Sequence, residues 1–292
     1  MIEIVPCKDR FEELIRFVAR LNPDGAHHIG FFGESEADIR ASLAESQIPP
    51  ADAFTLAYEA DRVVGTFGVD ADPEISRAWL FGPLIEHADW HMIAEQLYAS
   101  ILPLVPVNIR DYDLFCDVQN VHIDEFALKH GFPLTSENAV LILAREDYRP
   151  IAKRQTQIIP YQEAFFEHLE KLHKTLFPNA YFTARQMVEK IDELHCLFLA
   201  VEDGNLFGYH FGKIEPESES SYVDFIGTDV SARRRGIGAD LLASGLDWML
   251  AVPTTQKVRL TVNANNVAAR HLYEKFGFLT ERIMRGYRKQ IA

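Results

Sequence analysis

Positive charge is the scarcer sign in this sequence: 29 Lys and Arg stand against 43 Asp and Glu, a formal net charge of −14 over 292 residues. A nucleic-acid groove needs a basic stripe, so this balance argues against a nucleic-acid partner. An acidic surface suits a cationic amine, and it also simply keeps a chain in solution. Cysteine is scarce too. Cys7, Cys116 and Cys196 are odd in number and form no C-x-x-C, which excludes a disulfide framework and fits a reducing, cytoplasmic setting. No apolar run is long enough to span a bilayer: Ile101 to Val107 is short and broken by Pro103 and Pro106. The opening M-I-E-I-V-P-C-K-D-R has no apolar h-region, so no secretory leader is expected. His27 and His28 are adjacent, which is poor ligand spacing, and they read as loop or packing residues; no metal is expected.

The length points to about two domains. In the first half, Ile2 to Val5 reads as a strand, and Asp9 to Leu21 carries a helical stripe ended by Asn22-Pro23-Asp24-Gly25. Ser35 caps a second helix. Strands follow at Ala53 to Tyr58, Arg62 to Val69 and Arg77 to Ile85, then a helix over Ile93 to Leu102, a strand at Asp113 to Val118, a helix at His122 to Lys129 and a last strand at Ala139 to Ala144. That order, β-α-α-β-β-β-α-β-α-β, recurs from about residue 156. Leu56-Ala57-x-Glu59 with Gly65 echoes Leu199-Ala200-x-Glu202 with Gly208. Asn120 with Gly131-Phe132 echoes Asn266 with Gly277-Phe278. The predicted fold is mixed α/β, in two similar domains, 1–148 and 149–292, joined near Arg145 to Lys153.

The halves differ most at one stretch. A β-rich run, Ser221 to Val230, feeds into Arg233-Arg234-Arg235-Gly236-Ile237-Gly238 and then an amphipathic helix. Free N–H groups and the positive dipole end at a helix start make an anion site, which the glycines open and the arginines charge. The loop is neither a Walker A nor a dinucleotide fingerprint. About thirty residues on lies N-A-N-N-V-A-A-R-H-L-Y-E-K-F-G-F, Asn263 to Phe278.

The pair R-x-x-G-x-G and N-x-x-A-x-x-L-Y-x-x-x-G-F, in this order, resembles the GNAT (GCN5-related) N-acetyltransferases. The resemblance implies two tandem GNAT-like acyl-CoA N-acyltransferase domains, with acetyl-CoA as co-substrate in the second. It places the pyrophosphate on Arg233, Arg234, Arg235, Gly236, Ile237, Gly238 and Ala239. Pantetheine amides would pair with the backbone of Thr228, Asp229 and Val230 across a strand gap, with Gly227 as a candidate bulge. Asn266, with Ala269 in its first turn, caps the next helix and meets the pantetheine arm. Tyr273 matches the tyrosine that protonates the departing sulfur. It also lies on a stripe with Ala269, Leu272 and Phe276 that can be core.

Asp224 alternates with Phe225 and so sits on one face of the strand entering the loop; the resemblance makes it the base candidate, since a carboxylate at the matching place acts as base through water in one branch of the family, and a solvent-exposed or structurally paired aspartate is the alternative. Where one branch of the family carries a catalytic Glu, this chain has Thr261, and where glycine is commonest in the loop it has Arg234. Phe177, Tyr181 and Phe182 lie in the segment joining the first two helices, which by the resemblance sets acceptor specificity; they read as pocket or as core. His173 and His210 read as packed. At the place of the arginine–glycine loop the first half has Glu86-His87-Ala88-Asp89-Trp90-His91-Met92-Ile93, which cannot cradle a diphosphate. The first domain is therefore expected to be a degenerate copy, as in fused members of the family where one copy does the chemistry. The expected reaction is acetyl transfer to a primary amine of a small molecule. A protein or peptide amine and a non-catalytic acyl-CoA-binding module are the alternatives. The sequence leaves the oligomeric state open.

Overall fold

The computed structural model describes residues 1–150 and 156–291; residues 151–153 of the expected joining segment lie outside them. The chain forms two compact units, and they are not a linear cut near residue 148. Unit one is 1–138 plus the segment from Arg282 onward; unit two is 139–281. The physical reason is an exchange of strands. The last strand of the chain pairs antiparallel with a strand of unit one, from Met284↔Asp117 to Gln290↔Asp111.

Unit one runs β1 (Ile2–Pro6), α1 (Phe11–Leu21), α2 (Glu36–Ala44), a single turn α3 (Pro50–Ala53), β2 (Phe54–Glu59), β3 (Arg62–Asp72), β4 (Arg77–Ile85), α4 (Trp90–Ile101), β5 (Asp111–Asp117), α5 (Val121–Lys129) and the start of β6 (Leu134–Ala144). Ser35 closes a capping box with Asp38 at the start of α2. Leu14, Ile15 and Val18 of α1 and Ile93 and Leu97 of α4 are buried in its core.

Unit two runs from the end of β6 through β7 (Gln157–Pro160), α6 (Phe166–Leu176), α7 (Ala184–Glu189), β8 (His195–Glu202), β9 (Asn205–Glu215), β10 (Ser220–Thr228), α8 (Ile237–Ala251), β11 (Lys257–Asn263) and α9 (Val267–Lys275) into β12 (Leu279–Gln290). Its strand order is β6-β11-β10-β9-β8-β7. One core holds Leu169, Met187, Tyr209, Phe211 and Phe225, on the α6–α7 side; another holds Ala200, Ile237 and Leu241, with Ile226 packed on it, on the α8 side. The sequence echoes are structural. Ala57 lies opposite Gly65 and Ala200 opposite Gly208. Asn120 and Asn266 cap equivalent helices, accepting from Ile123 N at 3.3 Å and Ala269 N at 3.2 Å. Among the described residues no helix is long and apolar enough to cross a membrane.

Candidate active site

β10 and β11 pair in parallel only from Ser220↔Lys257 to Val223↔Leu260. Beyond that register the two strands part, and Asp224 is the first residue of β10 past the last pair. On its other edge β10 pairs Val223 with Gly212 and Phe225 with Phe211, so Asp224 is one residue too many, a β-bulge. Alternation puts Asp224 and Phe225 on opposite faces; the bulge removes that difference. Tyr181 touches both, donating its hydroxyl to Asp224 Oδ1 at 2.8 Å while its ring centroid lies 4.8 Å from that of Phe225.

The bulge expected at Gly227 is therefore at Asp224, and Gly227 pairs in register with Tyr209. Close packing explains the glycine: a Cβ there would lie 2.6 Å from Leu176 Cδ1 and 3.1 Å from the Phe177 ring.

The backbone edge left by β11 follows from the ladder. Asp229 N–H donates to the Phe207 carbonyl at 2.8 Å. Alternate residues of an antiparallel strand turn their amides to opposite edges, so Asp229 and Gly227 face β9, while Ile226 and Thr228 face the gap. Of the expected trio, Thr228 stays on the open edge and the Asp229 amide is already used. Val230 begins a separate 3-10 turn, Val230–Ala232. Ile226, which the motif does not single out, turns its amide to the same open edge, and only the register reveals it. The Asp229 carboxylate accepts from Ser231 Oγ and from Ser231 N at 2.8 Å, and these bonds hold it below its ordinary range.

Past that turn, Arg234 takes φ +64° and Gly236 φ +87°, and α8 begins at Ile237. Arg234 thus occupies a left-handed conformation at the place where the resembling family prefers glycine. Arg233 and Arg234 are exposed, with no ion pair to another residue among the described residues. Arg235 differs: it is ion-paired to Glu202 and its guanidinium lies 5.3 Å over the Phe207 ring. The Ile237 side chain is core. Ala239 is half-buried. A Cβ on Gly238 would meet only Leu272 at 3.6 Å and Thr228 Cγ2 at 3.8 Å, ordinary contacts. Neither backbone conformation nor packing demands glycine at 238. The residue leaves the surface bare where α8, α9 and the end of β10 meet.

Tyr273 is 6% exposed, with its ring 5.8 Å from that of Phe278; burial pushes its phenol up to about 12. Of the three pocket candidates only Tyr181 reaches a polar group of the site. Phe177 lies 5.3 Å from Phe225, and Phe182 packs on Tyr181 while its carbonyl accepts from His173 Nε2 at 2.8 Å. His173 and His210 are buried, as is His28, whose Nδ1 donates to the Asn22 carbonyl at 2.7 Å. A further polar pair went unforeseen. Tyr222 OH and Thr261 Oγ1 lie 2.5 Å apart, tying β10 to β11 where they separate. Thr261, noted only as a departure from a family pattern, is one partner of that bond.

Residues 160–278 match the model of the Acetyltransferase (GNAT) family. The mycothiol acetyltransferase of Streptomyces griseus is 35% identical over 95 residues, 32% of this chain and 30% of that protein. The match thus spans less than a third of that relative's length. The N-alpha-acetyltransferase 30 of Dictyostelium discoideum is 32% identical over 150 residues, 49% of this chain and 80% of its own length. A solved tandem GNAT protein from the clavulanic acid biosynthesis pathway superposes with a TM-score of 0.66 at 15% identity, covering 99% of this chain and 98% of that one.

Proposed function

The chain belongs to the acetyltransferase (GNAT) family, and we propose that its second unit moves the acetyl group of acetyl-CoA to a primary amine of a small molecule. The observation that carries this reading is the bulged Asp224, held by Tyr181 at the mouth of the strand gap. In direct transfer the amine nitrogen attacks the thioester carbonyl, the C–S bond breaks, and one amine proton must leave. A free amine titrates near ~10.4, so at neutral pH a proton has to be taken from the nitrogen, and the Asp224 carboxylate receives it, directly or through water. Tyr273, neutral throughout the physiological range, donates a hydrogen bond to the departing sulfur. Ile226 and Thr228 offer the edge for the pantetheine amides and a donor for the carbonyl oxygen. Arg233, Arg234 and the N–H groups at the start of α8 take the pyrophosphate.

The first unit supplies no second copy of this site in our reading. By cross-strand partner, Leu80 stands where Val223 does and Phe81 where Phe225 does, so Asp224 has no counterpart between them. Phe81 lies 5.1 Å from Phe32 and 5.6 Å from Phe54, within an aromatic core. The helix matching α8 starts after Asp89 with Trp90. A second reading, transfer to a peptide N-terminal amine, draws on the N-alpha-acetyltransferase 30 relative, and the mycothiol acetyltransferases favour the small acceptor.

Calorimetric titration of the full chain with acetyl-CoA tests the site. One equivalent bound, and lost in an Arg233→Glu, Arg234→Glu variant, is expected. Two equivalents would overturn the single-site reading, and no binding would overturn the transferase site itself. Thiol release with panels of small amines and of peptides then decides between the acceptors.

A further inference from the structure

The first unit carries a cluster that the acetyl-transfer chemistry does not use. His91 lies in the first turn of α4, and His122 and Glu125 lie one turn apart on α5. Their side chains converge so that one ligand atom from each falls within 4.8 Å of the other two. Both imidazoles aim at the same carboxylate oxygen: His91 Nε2 is 3.6 Å and His122 Nδ1 3.7 Å from Glu125 Oε2. These separations are too long for hydrogen bonds. They match ligands sharing an ion, since two donors about 2.1 Å from a tetrahedral metal stand ~3.4 Å apart. His122 Nδ1 is shut off from solvent and has no hydrogen-bond partner among the described residues. The His122 ring is stacked on Trp90, centroids 4.8 Å apart and planes at 16°, which fixes the direction of that nitrogen.

We propose that His91, His122 and Glu125 form a three-ligand site for a divalent transition metal of borderline softness, Zn²⁺ foremost. Imidazole and carboxylate donors suit such an ion, and the remaining positions are left to water. The His91 and Glu125 side chains are 63% and 58% exposed, so the site opens to solvent on their side, while His122 Nδ1 closes its inner side. An ion there clasps the start of α4 to α5. The corresponding helices of unit two start at Gly236 and Asn266, and counting from the helix caps His91 takes the place of Gly238. Where the second unit leaves that surface bare, the first has turned the same two helix starts into a cation site.

The test is titration of the full chain with ZnCl₂, against a His91→Ala, His122→Ala variant and a Glu125→Gln variant. One equivalent is expected, weakened at least tenfold in each variant. Addition of Ni²⁺ should quench fluorescence in the unmodified protein, with the quench reduced in Trp90→Phe. The ligand side chains lie at the surface, and circular dichroism checks that the variants fold. Absence of a stoichiometric site, or zinc binding unchanged in the folded variants, overturns the proposal. If the double variant unfolds, Glu125→Gln and the Trp90 quench decide it.

Discussion

Tyr181 donates its phenolic hydrogen to Asp224 Oδ1 over 2.8 Å, from a loop after α6 to a bulge in β10. The bond fixes the carboxylate beside the strand gap. With Asp224 as the base, Asp224→Asn should lower kcat by about 10²–10⁴-fold and leave acetyl-CoA affinity near that of the parent. Tyr181→Phe should cost less, roughly tenfold. It leaves the carboxylate in place and removes only the bond that orients it, so the loss should fall on kcat with acetyl-CoA affinity kept. Steady-state kinetics over a pH series read both. An unchanged kcat in Asp224→Asn would remove the carboxylate from the mechanism.

Tyr273 gives a different signature. Its phenol is held up at about 12, so it stays protonated through the range in which the enzyme is assayed. Tyr273→Phe should lower kcat by about ten- to a hundredfold without altering the shape of the pH–rate profile. Loss of an alkaline limb in that variant would show that the phenol titrates during turnover and that burial is relieved when acetyl-CoA binds.

Much of this was legible in the sequence, and the rest failed for identifiable reasons. Ser35 was readable as a cap because a cap needs only local residues; it closes a capping box with Asp38, as Thr183 does with Gln186 in the second unit. The internal repeat was readable through Ala57 with Gly65 and Ala200 with Gly208, since each pair lies face to face in a hairpin. Asp224 was found for its chemistry, but its bulge was not. A bulge is a count of residues between two strands, and only the register with β9 displays it. Ile226 escaped for the same reason. Arg235 looked equal to Arg233 and Arg234 because its partner, Glu202, lies 33 residues away. The exchange of β12 between the units is likewise a pairing choice, made against β5 and invisible in the strand's own residues.

His210 makes the stability of the fold sensitive to acid. It is fully buried on β9, and a Cβ on Gly245 would lie 2.2 Å from its Nε2, so the space around it is tight. Burial lowers its pKa from the ordinary 6.5 to about 4. The folded state therefore holds it neutral, while the unfolded chain binds a proton below about 6.5. Its contribution is fully present above 6.5 and is lost as pH falls towards 4. A difference of roughly two and a half pH units corresponds to about 3 kcal/mol. Denaturant unfolding at pH 7.5 and pH 4.5 should show a loss of that order, and His210→Asn should flatten it. His173 and His28, also lowered by burial, act with the same sign. A stability that does not fall between these pH values would mean that His210 meets a proton-accepting partner in the folded protein.

Gly238 separates folding from cofactor binding. A methyl group there meets Leu272 at 3.6 Å and Thr228 at 3.8 Å, with no contact that forces a shift. Alanine is also the better helix former, by up to ~1 kcal/mol. Gly238→Ala should therefore leave the melting temperature unchanged or raise it. If the pyrophosphate lies on this bare surface, the same methyl group should weaken acetyl-CoA at least tenfold. Gly227→Ala provides the contrast: its Cβ would stand 2.6 Å from Leu176, and that overpacking should cost roughly 1–3 kcal/mol. Arg234→Gly should relieve the left-handed φ and gain about 1 kcal/mol, while losing a cation from the loop and some affinity with it. Thermal melts and calorimetry on the three variants give a pattern of opposite signs that a purely structural loop does not produce. Acetyl-CoA affinity unchanged in Gly238→Ala would move the pyrophosphate off the start of α8 and leave the glycine unexplained.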